Sequence, residues 1–159
     1  MINRVKKGFL IDTNHLSPLF RRDETVLGNL SRNPGCPIFA SVISLGEVEA
    51  GHAITNSTNL DVRTQFESFI QNEFYPNALP IKRTTRIYYS MVMEKIWSEF
   101  PPSSKTQTES HLRSIGVDIN DVWIVSQAIE HNLILATTDS MKSIKKSVGN
   151  LVDFENWTN

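Results

Sequence analysis

GFLIDTNHLS, residues 8–17, sets Asp12 directly after the apolar triplet Phe9-Leu10-Ile11 and follows it with Thr13, Asn14 and His15. Three consecutive apolar residues bounded by turn-forming ones read as a strand buried on both faces, the kind found in parallel sheets. In such sheets ligands and catalytic groups gather beyond the carboxyl ends of the strands, where the chain reverses beside a crevice. Asp12 stands at that place. The fold and the chemistry of the chain both turn on whether other strands deliver acids to the same edge.

Working outward, further strand candidates are Ile38-Phe39-Ala40, Leu133-Ile134-Leu135-Ala136 and Leu151-Val152-Asp153-Phe154. Between them lie stretches of helical period over about 44–55, 60–73 and 84–98. The clearest starts at Asp121 and runs through Val122, Ile124, Val125, Ala128 and Ile129, with Asn132 placed to stop it. Strands alternating with helices predict an α/β domain with a central, mostly parallel sheet flanked by helices. Pro101-Pro102-Ser103-Ser104-Lys105 breaks the pattern, and the polar stretch that continues to about Gly116 reads as a loop or short helix.

At 159 residues the chain suits one domain, 1–159, around a single core. A composition of 40% hydrophobic and 21% charged residues with net charge -1 excludes a disordered chain or a polybasic tail. Cys36 is the only cysteine, which excludes an internal disulfide and a cysteine-based zinc cluster and fits a reducing compartment, so the cytoplasm is expected. The basic residues Arg4, Lys6 and Lys7 precede an apolar run too short for a signal peptide, and no segment approaches the ~18 apolar residues of a membrane span.

Four acids share one kind of position. Asp139 follows Leu133–Ala136 and Thr137-Thr138 as Asp12 follows its strand, while Glu47 and Asp121 fall at expected helix starts. Each has a structural alternative. Ser44-x-x-Glu47 is a capping box, Asp121 or its neighbour Asp118 caps a helix, and Asp12 and Asp139 suit Asx turns. Capping alone does not require the capped helices to converge on one sheet edge. Four converging carboxylates would repel one another unless a cation neutralised them. An all-oxygen set suits Mg²⁺ or Mn²⁺ rather than zinc, and His15, His52, His111 and His131 are too scattered for ligands, with surface or partial burial expected instead.

Ile11-Asp12-Thr13-Asn14, Ser41-Val42-Ile43-Ser44-Leu45-Gly46-Glu47, Asn120-Asp121-Val122-Trp123-Ile124-Val125-Ser126-Gln127-Ala128 and Leu135-Ala136-Thr137-Thr138-Asp139 resemble, in order, the acidic motifs of PIN-domain nucleases. Within these the likeness is to the VapC-type ribonuclease toxins of prokaryotic toxin-antitoxin pairs, and it covers nearly the whole chain. The resemblance implies that Asp12, Glu47, Asp121 and Asp139 form the metal-binding, catalytic quartet with Mg²⁺ or Mn²⁺. It implies that Asn14 supports the first acid, that Thr137 matches the threonine before the last, and that the chain hydrolyses RNA, binds a cognate antitoxin and forms a homodimer. Val125-Ser126 departs from the small alanines usual there, and the stretch from Glu99 to Arg113 is longer and more polar than in compact members.

An RNA substrate requires local cations in a chain of net charge -1. Lys142, Lys145 and Lys146, closest in sequence to Asp139, are the first candidates, followed by Arg21-Arg22 and by Lys82, Arg83 and Arg86; each group also reads as a solvated helix face. Three rival readings remain. A phosphotransfer receiver wants an Asp after a middle strand, where Ile38-Phe39-Ala40-Ser41 has none. An aspartate-nucleophile phosphatase wants an acid where this chain has Asn14. A non-catalytic PIN-like scaffold is expected to lose one or more of the four acids.

Overall fold

The computed structural model describes residues 8–56 and 58–158; Arg4, Lys6 and Lys7 lie outside them. The elements follow in the order β1 (Phe9–Ile11), α1 (Thr13–Phe20), α2 (Glu24–Arg32), β2 (Ile38–Ser41), α3 (Val42–Thr55), α4 (Leu60–Phe69), β3 (Ala78–Leu79), α5 (Thr85–Glu99), α6 (Thr108–Ser114), α7 (Ile119–His131), β4 (Ile134–Ala136), α8 (Lys142–Val148) and β5 (Phe154–Glu155). The five strands pair in parallel throughout, in the order β3-β2-β1-β4-β5. No helix among the described residues is long and apolar enough to cross a membrane.

The continuous apolar reading of β1 has its cause in layers on both faces. Phe9 and Ile11 point to one side, among Leu16, Val48, Phe66 and Trp157, whereas Leu10 points to the other, among Val92, Val125 and Ile144. β4 repeats the alternation, with Leu135 on the Leu10 side and Ala136 on the Ile11 side. Each such side chain contributes roughly 1.5–3 kcal/mol on burial, so the central strands are fixed by apolar packing before any polar contact is considered.

Four boundaries differ from the sequence expectation, each for a local reason. The helix expected over 60–73 is α-helical only to Phe69 and continues as a wider π-turn, Ile70–Phe74, in which the Tyr75 N–H bonds the Ile70 carbonyl; Pro76, with no N–H, does not extend it. The strand expected over Leu151–Phe154 is β5, Phe154–Glu155; Gly149–Leu151 forms a 3-10 turn instead, opened by the positive φ of Gly149. The helix expected from Asp121 begins at Ile119, with Asp118 as its cap. β3, two residues long, lacks a pattern that would announce it. Asn132 does stop α7, in the left-handed conformation.

Gly8 fixes how β1 enters the sheet. Its φ is +149°, and a Cβ there would lie 2.3 Å from the Pro37 carbonyl oxygen. The neighbouring backbone is pinned on both sides by Phe9 N–H to Pro37 O and Ile134 N–H to Gly8 O, each 3.0 Å. Gly8→Ala is therefore expected to cost about 2–3 kcal/mol, seen in thermal melts as a fall of roughly 5–10 °C. An unchanged melting temperature would show that the strand can shift away from Pro37 at no cost.

Candidate active site

In the order β3-β2-β1-β4-β5, the connection from β1 leads to one half of the sheet and that from β4 to the other. The crevice between β1 and β4 is thus the topological switch point, the place where open α/β sheets bind ligands. Asp12 ends β1, and Thr137-Thr138-Asp139 follows β4. The same strand order differs from that of the receiver fold, in which the first strand lies beside the third.

Asp12 is 3% exposed. Its Oδ1 accepts the Thr13 N–H at 2.7 Å, capping α1, and its Oδ2 accepts the Thr137 hydroxyl at 2.9 Å. These bonds lower its pKa, but burial, with the charges of Asp139 and Glu47, outweighs them and holds the carboxyl above its usual range.

Glu47 does not close a capping box. Ser41 is the cap of α3, accepting the Ile43 N–H at 3.0 Å, and Ser44 lies inside the helix with its hydroxyl buried and unpartnered. The Glu47 carboxylate reaches across the crevice, accepting the Thr13 hydroxyl at 2.5 Å and the Asn120 amide at 2.6 Å. It ties α1, α3 and α7 together at the strand ends.

The helix-cap role that competed for Asp121 belongs to Asp118, whose Oδ1 accepts the Asn120 N–H at 2.7 Å. Asp121, in the first turn, is left free. Burial, and then the charges of Asp12, Asp118, Asp139 and Glu47, push its pKa up to about 7. The four acids named from sequence therefore feel one another, and none is paired with a lysine or arginine side chain among the described residues.

Asn14, which the resemblance assigns to supporting the first acid, makes no direct hydrogen bond to Asp12 among the described residues and connects to it through Thr137. Its Oδ1 accepts the Thr138 N–H at 3.1 Å, and its Nδ2 lies 3.5 Å from Thr137 Oγ1 and from Asp139 Oδ2, so it braces the loop after β4. Thr137 is the joint: its hydroxyl donates to Asp12 and accepts the Asp139 N–H at 3.0 Å.

Behind Asn14 stands His15, which is fully buried rather than at or near the surface. The Trp157 N–H donates to its Nε2 at 3.2 Å, so Nδ1 carries the proton and donates to Asn14 Oδ1 at 2.9 Å. Burial lowers its pKa to about 4, which keeps it neutral. His15→Phe would leave the buried Trp157 N–H without an acceptor and is expected to cost about 2–3 kcal/mol in urea denaturation; an unchanged midpoint would mean that water or a backbone shift replaces the imidazole. His111 is buried as well, with Nε2 2.6 Å from the Phe100 carbonyl oxygen.

As they lie, no three histidine, cysteine, aspartate or glutamate side chains among the described residues stand close enough to enclose a metal ion. The donor chemistry nevertheless fits a hard cation, because the set is all-oxygen and two of its members have pKa values raised by burial and mutual repulsion. Mg²⁺ usually keeps several waters and takes only one or two carboxylates, so an open arrangement of acids suits it better than a closed cage would.

The cations expected beside Asp139 are largely engaged elsewhere. Lys146 pairs with Glu99 at 2.7 Å and lies over the Phe100 ring, and Lys145 bonds the Asp139 carbonyl at 3.2 Å while covering Phe154. Lys142 is exposed. A residue missed from sequence, Arg113 on α6, lines a cavity of about 550 Å³ together with Asp118, Asp121 and Asp139.

Neither a protein-family model nor a curated protein matches the sequence. Solved structures do. VapBC2 from Rickettsia felis, bound to a DNA fragment from its promoter, contains a chain similar to this one with TM-score 0.64 and 19% identity, over 94% of this chain and 98% of that one. FitAcB from Neisseria gonorrhoeae gives TM-score 0.65 and 20% identity over 95% and 99%. A toxin-antitoxin complex from Klebsiella pneumoniae gives TM-score 0.51 and 19% identity over 93% and 96%. Identities this low speak to architecture: this chain shares the fold of those chains, and it is the α/β fold with a parallel sheet flanked by helices that the sequence led us to expect.

Proposed function

We propose that this protein is an Mg²⁺- or Mn²⁺-dependent endoribonuclease and the toxin of a toxin-antitoxin pair. The observation that carries the reading is the gathering of Asp12, Glu47, Asp121 and Asp139 from four separate elements at the β1–β4 crevice, with no lysine or arginine paired to their carboxylates among the described residues. A protein of this size does not hold mutually repelling, partly buried carboxylates together without a function that repays the cost. That the similar structures include a toxin-antitoxin complex supports a protein partner of antitoxin type. Homodimer formation and a cytoplasmic location belong to the same reading.

Asp12 and Asp121 would hold the better-occupied ion, and Glu47 and Asp139 would complete the set. When bound, such an ion supplies a water acidified toward neutrality and screens the phosphate charge. The remaining work falls to the chain. Thr137 keeps the Asp12 carboxylate in one orientation, and Glu47, anchored by Thr13 and Asn120, is fixed where it can orient the attacking water. Asn14 and His15 keep the Asp139 loop from relaxing away from the repulsion. Hydrolysis in this manner leaves a 5'-phosphate and a 3'-hydroxyl.

The test is incubation of the purified protein with total cellular RNA and Mg²⁺ or Mn²⁺, with the new 5' ends mapped and EDTA and Asp12→Asn as controls. Metal-dependent ends absent from both controls support the reading. A non-catalytic scaffold would give no new ends and no heat on titration with Mn²⁺, and that pair of results would overturn it.

A further inference from the structure

We propose that Arg113 holds a backbone phosphate of the RNA strand, which leaves the acid cluster over α6 rather than over α3. The inference rests on the nuclease reading and adds to it the residue that meets the substrate. An anionic strand approaching four carboxylates needs a cation that is free to receive it. Lys146 is committed to Glu99 and Phe100, Lys145 to the Asp139 carbonyl and Phe154, and Lys142, though exposed, does not line the cavity that holds Asp121 and Asp139.

Arg113 is different on three counts. Its side chain is exposed and lines the cavity of about 550 Å³ that also contains Asp118, Asp121 and Asp139. Its guanidinium has no ion pair or hydrogen bond among the described residues, although Glu109, four residues earlier on α6, lines the same cavity. A Glu to Arg spacing of four ordinarily favours a helix pair. An unpaired planar fork beside an acid cluster is matched to two oxygens of one phosphate.

α6 holds that fork steady. Leu112 is 2% exposed in the core, the Val117 N–H returns to the Leu112 carbonyl at 2.9 Å, the Ser143 hydroxyl donates to the Ile115 carbonyl at 2.6 Å, and His111 bonds the Phe100 carbonyl. A segment anchored at so many points presents its arginine without a large ordering cost on binding. Direction follows from the lining: the cavity includes Asp121 and Asp139 but neither Glu47 nor Thr13, so the open path from the acids runs along α6. The segment from Glu109 to Gly116 is thus a wall of the substrate cleft.

The experiment is steady-state cleavage of an unstructured RNA oligonucleotide with Mn²⁺ at several salt concentrations, comparing wild type, Arg113→Ala, Arg113→Lys and Asp12→Asn. Arg113→Ala is expected to raise KM about tenfold with kcat within about threefold, and to make the dependence of log KM on log salt shallower by about 0.7. Arg113→Lys, which keeps the charge without the fork, should restore the salt slope and part of KM. Mn²⁺ affinity by calorimetry should stay unchanged in both. Wild-type KM and salt slope in Arg113→Ala would overturn the inference and leave the nuclease reading intact, as would a fall in kcat at constant KM. A wild-type protein no more active than Asp12→Asn would remove the nuclease reading and this inference with it.

Discussion

Asp12→Asn is expected to lower metal-dependent RNA cleavage by about a thousandfold or more, roughly 4 kcal/mol of transition-state stabilisation, while raising the melting temperature of the protein in EDTA. The two effects have one origin. Asp12 is nearly inaccessible to water, and its charged form is disfavoured by that burial and by Asp139 and Glu47. Asparagine has the same shape. Its oxygen can still accept the Thr13 N–H, and its amide can donate to Thr137 Oγ1, which keeps the Asp139 N–H at 3.0 Å and exchanges its long 3.5 Å bond from Asn14 Nδ2 for the new one. The hydrogen bonds survive in a different direction, and the charge is gone. Removing it should stabilise the metal-free protein by about 1 kcal/mol, or roughly 2–4 °C. Losing activity while gaining stability is a combination that misfolding cannot produce. Initial rates with Mn²⁺ and calorimetric melts in EDTA measure the pair; cleavage at the wild-type rate would take Asp12 out of the chemistry, and a lower melting temperature would mean its charge is held by favourable contacts.

How much of this was legible before any coordinates depends on how local the signal is. Asp12 and Asp139 could be placed because a parallel strand and the turn after it are written in consecutive residues, and β1 and β4 are such strands. Glu47 was ambiguous because Ser44-x-x-Glu47 reads as a capping box; β2 ends at Ser41, which makes Ser41 the cap and leaves Glu47 free, and that is a tertiary fact. Asp118 and Asp121 presented a like ambiguity with a like resolution, the earlier residue capping and the later one facing the crevice. His15 carried a readable signal that single-residue reasoning passes over: with Leu16 and Leu19 it forms the buried face of α1, and its four-residue spacing from Leu19 is helical. Arg113 carried none. It lies in a polar stretch without periodicity, and only the docking of Leu112 and His111 brings it beside Asp121 and Asp139. The position of the acids was legible because they follow strand ends or open helices, whereas that of the cations was not, because their partners lie on other elements.

The second large effect is an inverted dependence of stability on pH when no divalent ion is present. Asp121 has a folded pKa of about 7 against 3.8 for the free group, so the native state holds a proton that the unfolded state has lost between those values. Its contribution is fully present below about pH 4 and is lost as pH rises through 7. The loss is at most about 4 kcal/mol, and less because the residue is partly open to water. Asp12, raised as well, acts in the same direction. His15 opposes them: with a folded pKa of about 4 against 6.5, it is the unfolded state that binds the extra proton, and stability rises through that window by up to about 3 kcal/mol. Asp121 and His15 nearly cancel between about pH 4 and 6.5, leaving a shallow fall from Asp12. Above 6.5 only the acids remain, so stability should drop more steeply toward pH 7.5. In His15→Phe the opposing slope disappears and the fall should begin near pH 4; in Asp121→Asn stability should rise through the acid range with the slope of His15, blunted by Asp12. On the metal-dependent reading, saturating Mn²⁺ would displace the Asp121 proton, so the decline near neutrality should vanish, with about one proton released per ion bound at pH 6. Urea denaturation from pH 4 to 8 in EDTA and in Mn²⁺ measures these slopes. Stability that climbs from pH 6 to 8 in EDTA, or the same curve with and without the ion, would show that these carboxylates are neither strained by one another nor relieved by a cation.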